Sequence, residues 1–155
     1  MKPTDLLTYL CLLLLTFLLS HPILSHPTAI AIANPLPRDI HTRGHYTCKK
    51  MSIRGPLRAS TRALALQLSS RHNEHCTQDQ RFAPKCTVLA SDGDEARIAI
   101  CGYPKGWILC SWVVFAALEI AAGCVVPTTE RATGEFVFDG KPGMRVVVYK
   151  AGREP

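Results

Sequence analysis

Six cysteines, Cys48, Cys76, Cys86, Cys101, Cys110 and Cys124, follow a leucine-rich opening that holds the seventh, Cys11. An even set of cysteines in a short chain behind a leader reads as an exported domain stapled by disulfides. A core this small benefits from such staples, each adding about 2–4 kcal/mol by restricting the unfolded chain. The six residues allow fifteen pairings.

The opening has the parts of a secretory signal. Lys2 precedes an almost wholly apolar run from Leu6 to Leu19, which His21-Pro22 and His26-Pro27 break. Ala29-Ile30-Ala31 and Ala31-Ile32-Ala33 both satisfy the small-x-small rule for signal peptidase. Cleavage after Ser20 or Ser25 is an alternative. The apolar run is shorter than the roughly 20 residues a membrane span needs. The sequence therefore predicts a signal peptide over 1–33, a flexible arm over 34–44 and one domain over 45–155. The arm reading rests on the proline-rich, polar stretch NPLPRDIHTR. About 120 residues remain after the leader, enough for a single core.

The formal net charge is +6, and its distribution is uneven. Arg38, Arg43, Lys49, Lys50, Arg54, Arg58 and Arg62 face a single acid, Asp39, whereas cations and acids balance from Ala63 onward. Lys49, Lys50, Arg54, Arg58 and Arg62 thus form either a solvated helix face with a flexible arm or a candidate basic binding face for an anionic surface. No aromatic residues are interleaved with these charges, as a nucleic-acid stacking platform would require, so no specific nucleic-acid partner is expected.

Periodicity supplies the elements. His45 to Lys49 reads as a short strand. Gly55-Pro56 opens a helix, with Pro56 suited to its first position. Leu57, Thr61, Leu64, Ala65 and Leu68 share one face of it, and it ends between Ser70 and Asn73. His72 to Pro84 is a polar connection. Lys85–Ala90 and Ala96–Cys101 read as a hairpin around Ser91-Asp92-Gly93-Asp94. Trp107 to Gly123 predicts a buried helix from Ile108 to Ala122, with a strand over its first half as the alternative. Glu135–Phe138 and Met144–Lys150 flank a closing turn. The order is βαββαβ, with an extra strand allowed near Phe136. This is the split βαβ arrangement of an α+β domain, an antiparallel sheet with both helices on one face. That topology suggests the pairs Cys48–Cys124, Cys76–Cys86 and Cys101–Cys110.

The catalytic and metal motifs are weak. His72, His75 and Cys76 have the residue types for a metal site but lack a fourth ligand, and an oxidising compartment favours a bridged Cys76. A Cys/His nucleophilic pair needs a free thiol. Asp92, Asp94 and Glu95 belong to a turn, where Asp is expected. Glu119 interrupts an apolar helix and is expected to face solvent or pair with Arg97 or Arg145. Trp107 and Trp112 are expected in the core. No phosphate loop, dinucleotide fingerprint or hydrolase serine motif is present.

One pattern carries a family likeness. Cys101-Gly102 closes a strand, Trp107 and Cys110 follow, an alanine-rich helix with Ala116, Ala117 and Ile120 ends at Cys124, and Arg145-Val146-Val147-Val148-Tyr149 finishes the chain. From about Ala96 to Lys150 this resembles necrosis-inducing extracellular effectors of plant-associated fungi and the killer-toxin-like proteins with an α/β-sandwich. Gly134 and Gly140 stand singly where those families often place a glycine pair. Tyr46-Thr47-Cys48 also resembles the aromatic-x-Cys motif of powdery-mildew effectors, some of them ribonuclease-like. The resemblance implies a secreted, monomeric, non-enzymatic effector or toxin without cofactor or metal. It would bind a host or competitor protein, or an anionic wall or membrane surface. A secreted ribonuclease-like hydrolase, tested at His45 and Glu119, or a cell-wall or membrane-active toxin, is the alternative.

Overall fold

The computed structural model describes residues 43–49, 54–82 and 85–153. The expected signal peptide and its cleavage site, the arm up to residue 42, and Lys50 lie outside the described residues. Among the described residues eleven elements follow one another: β1 (Gly44–Cys48), α1 (Arg58–Ser69), β2 (His75–Thr77), β3 (Cys86–Ser91), β4 (Arg97–Cys101), β5 (Trp107–Leu109), α2 (Cys110–Gly123), β6 (Val125–Val126), β7 (Arg131–Ala132), β8 (Gly134–Phe138) and β9 (Arg145–Tyr149).

Five strands form one antiparallel sheet in the order β1-β8-β9-β4-β3. Strand alternation gives it two unlike faces. Phe136, Phe138, Val146, Val148, Ile98 and Ile100 project to one side. They are buried with Leu64, Ala65 and Leu68 of α1 and with Val113, Ala116, Ala117 and Ile120 of α2. Ala99, Cys101, Val147 and Tyr149 join Cys86 in a smaller cluster on the other side. Both helices thus cover one face of an α+β sandwich, as the sequence predicts. The extra strand near Phe136 is a full member, β8, inserted between β1 and β9. That insertion leaves β1 on the edge.

Two helix starts differ from expectation. Thr61, Leu64, Ala65 and Leu68 are the buried face of α1, but Pro56 and Leu57 precede the helix. The Pro56 carbonyl accepts the Ala132 N–H (3.0 Å) and Leu57 bridges to Arg131. These partners from a distant segment hold both residues extended. The second helix begins at Cys110 rather than Ile108 because Trp107–Leu109 pairs with β2. The strand alternative was therefore right for three residues.

Three disulfides staple the fold. Cys48–Cys124 ties β1 to the end of α2 as expected. The other two expected pairs exchange partners. Cys86 bonds Cys101, its directly opposed residue in the β3–β4 hairpin, with Cα atoms 4.0 Å apart. Cys76 bonds Cys110, because β2 lies alongside β5 and Cys110 follows that strand immediately. Bridges form between residues whose Cα atoms already lie within a few ångströms, and strand pairing decides which those are. Among the described residues, no helix is long and apolar enough to cross a membrane.

Candidate binding site

Four cations converge where β1, β8 and β9 meet at one end of the sheet. Lys49 follows β1, Arg54 precedes α1, and Lys150 and Arg153 follow β9. With Gly55, Thr133 and Tyr149 they line a groove of about 280 Å³. Lys49 donates its backbone N–H to the Thr133 carbonyl (3.2 Å), and the Thr133 hydroxyl donates to the Val148 carbonyl (2.7 Å), fixing the floor.

Glu95 organises the ground beside this groove. Its Oε1 accepts the Leu57 N–H (2.9 Å) and an Arg131 guanidinium N–H (2.7 Å), and its Oε2 lies 3.2 Å from Lys150 Nζ. Arg131 also donates to the Gly55 carbonyl (2.6 Å). Leu57 is the N-cap of α1 and has no capping side chain of its own, so Glu95 serves the helix entrance from the β3–β4 turn. Burial pushes the Glu95 carboxyl up, but the Leu57 N–H, Lys150 and Arg131 outweigh it and hold the group below the usual carboxylate range.

The expected basic face is only partly assembled here. Lys49 and Arg54 line the groove, while Arg58 and Arg62 sit on α1 outside its lining. Arg58 is half-buried and 4.0 Å from Glu130, and among the described residues its Nε has no hydrogen-bond partner. Lys150 and Arg153 were not anticipated. Their part of the sequence is neutral on average, and averaging hides a local pair of cations that the fold brings up to Lys49.

A second groove, of about 530 Å³, runs between β1 and α2 and is lined by Arg43, Gly44, His45, Tyr46, Phe115, Glu119, Phe136 and Asp139. Phe115 meets Phe136 edge-on at 5.7 Å. Tyr46 lies so close over Gly123 that a Cβ there would fall 2.3 Å from its ring. His45 Nδ1 is 4.0 Å from Asp139 Oδ1. Glu119 does not pair with Arg97 or Arg145. Arg145 is 3.2 Å from Glu135, and Arg97 and Arg145 both project from the opposite face of the sheet. Among the described residues Glu119 has no hydrogen bond or ion pair.

The remaining candidates have structural places. Cys76 is bonded to Cys110, and the His75 ring stacks on Trp107 at 3.8 Å. Trp107 is not core. It is 40% exposed, and Lys141 Nζ sits 4.4 Å from its ring centre. Trp112 packs against the core, its ring 6.2 Å from that of Phe138. Asp92 accepts the Ala96 N–H (2.5 Å) within its turn. Against known protein families, characterised proteins and solved structures, the chain finds no match.

Proposed function

We propose that this is a secreted, non-enzymatic binding protein of the effector or toxin type, which docks on an anionic target through the groove of Lys49, Arg54, Lys150 and Arg153. One observation supports the reading above others: these cations come from separate stretches of the chain and meet around a groove with no acidic side chain in its lining among the described residues. A concave cluster of one sign concentrates opposite charge and speeds its capture. The three disulfides fit an oxidising, extracellular-type compartment, and Cys48–Cys124 fixes the end of β1 next to Lys49. The resemblance to fungal effectors and killer-toxin-like proteins agrees with export and with action by binding. The hydrolase alternative has less support: His45 and Glu119 line one groove, but no hydrogen bond or ion pair links them among the described residues, and His45 lies beside Asp139 instead.

The test is a pair of exposed charge reversals, Arg54→Glu and Arg153→Glu, measured against a sulfated polysaccharide, anionic lipid vesicles and an acidic peptide. Binding to at least one probe should fall about tenfold or more, with circular dichroism and melting unchanged. Arg58 is unsuited to this test because its ion pair with Glu130 gives it a structural share. Equal binding of wild type and the double variant to every probe would overturn the groove as the docking site.

A further inference from the structure

The two edges of the main sheet are unlike. At one edge, β3 is broken by a register shift between Val88 and Ala90. Its Thr87 hydroxyl also accepts the Asp79 N–H (2.7 Å), so a neighbouring loop lies alongside. Bulges and covering loops are how edge strands avoid pairing with other chains. At the other edge, β1 has neither device among the described residues. It is regular over five residues and all of them are exposed.

The outward groups of β1 follow from its register. Asp139 N–H bonds the Arg43 carbonyl and Lys49 N–H bonds the Thr133 carbonyl. Alternation in an antiparallel ladder therefore turns His45 and Thr47 inward to β8 and leaves the N–H and C=O of Gly44 and Tyr46 directed away from the sheet. Beside those outward groups lies the groove with Phe115, Phe136 and the Tyr46 ring on its walls and Arg43, His45, Asp139 and Glu119 also in its lining; Glu119 has no ion pair among the described residues. A strand edge flanked by a helix, with a groove between them, can take an extended chain by backbone pairing and receive every second side chain.

We infer that β1 accepts an extended segment of a partner protein as a sixth strand. This deepens the binding reading above and rests on it. A residue opposite Tyr46 would project into the groove, where a lysine or arginine stem fits the aromatic walls and its cation meets Glu119. Residues on either side of it would project to the other face, which carries Thr47 and Lys49 together with Glu135 and so sets no charge preference. The preferred segment is an extended chain with a basic residue opposite Tyr46, where the Glu119 and Asp139 carboxylates line the groove. A second copy of this chain fits poorly. Antiparallel pairing of two β1 strands about Tyr46 would set Arg43 opposite Lys49 at both ends, and like charges facing across strands are destabilising.

The experiment selects from a displayed library of random twelve-residue peptides on the intact, oxidised protein. Recovered peptides should share a Lys or Arg at one fixed position. Hydrogen exchange at the Gly44 and Tyr46 amides should slow at least tenfold when such a peptide binds, with little change at His45 and Thr47, which already bond β8. Tyr46→Pro removes one outward N–H at an edge position where proline is tolerated and should abolish binding. Glu119→Gln, which leaves the backbone intact, should weaken it about tenfold, and only for peptides with the basic residue. Failure to recover any peptide, or recovery of peptides that leave the Gly44 and Tyr46 amides unprotected, would overturn strand addition. Loss of sulfated-polysaccharide binding in the Arg54→Glu/Arg153→Glu variant would, in that event, still uphold the basic groove, so the two readings fail separately.

Discussion

A single carboxylate, Glu95, joins parts of the chain far apart in sequence: the entrance of α1, Arg131 of β7 and Lys150 after β9. Its depressed titration fixes the direction of its pH effect. A carboxyl held lower in the folded than in the unfolded chain contributes its full stability above the ordinary value of 4.5. That contribution is lost as the pH falls through the lower, folded value. Glu95→Gln should therefore cost about 2 kcal/mol at neutral pH, in keeping with lost hydrogen bonds to a charged group. Chemical denaturation at neutral and acidic pH should show the two proteins converging below pH 4.5. The same substitution frees Lys150 for the basic groove, so binding to a sulfated polysaccharide should tighten even as stability drops. Sequence reasoning places Glu95 in a turn, and that is where it lies. Its role could not be read there, because all three partners come from outside the turn.

At the scale of elements, periodicity located both helices and both long hairpins, because their apolar faces are sorted by burial. What escaped it was pairing by short strands. His75–Thr77 and Trp107–Leu109 are three residues each, too short to show a period. Each is a strand only because the other is beside it, and with them went the partners of Cys76 and Cys110. The Cys86–Cys101 pair was legible in principle, since the expected hairpin already sets those residues opposite each other. The bridges should differ in worth. Cys48–Cys124 spans 76 residues and Cys86–Cys101 spans 15. Chain entropy assigns about 4.5 kcal/mol to the longer loop and about 3 kcal/mol to the shorter. Paired alanine variants, Cys48→Ala/Cys124→Ala and Cys86→Ala/Cys101→Ala, compared by denaturant unfolding, should rank in that order. The reverse ranking would mean that the hairpin holds little structure without its bridge.

Over the whole molecule, the sequence reveals the excess of charge but not its address. The N-terminal third supplies the surplus, yet the groove draws half its cations from beyond β9, and Arg58 and Arg62 remain on the helix. Cations clustered by folding act together on one ligand. The affinity for a polyanion should thus fall steeply with ionic strength, and the logarithmic salt slope should shrink by roughly one for each groove cation removed. Titrations of wild type, Arg54→Glu and Arg153→Glu at several salt concentrations would measure this. An unchanged slope would mean the contact lies elsewhere on the surface. The Cys48–Cys124 bond has a consequence of a different kind. It fastens β1 to the end of α2, the two walls between which Glu119 and the aromatic side chains lie. The spacing of those walls is set by a covalent strut and cannot relax around an oversized guest. Selectivity there would work as a gauge does, by admitting one width of side chain. On entering a reducing cytosol, the strut would open and the gauge would lose its calibration.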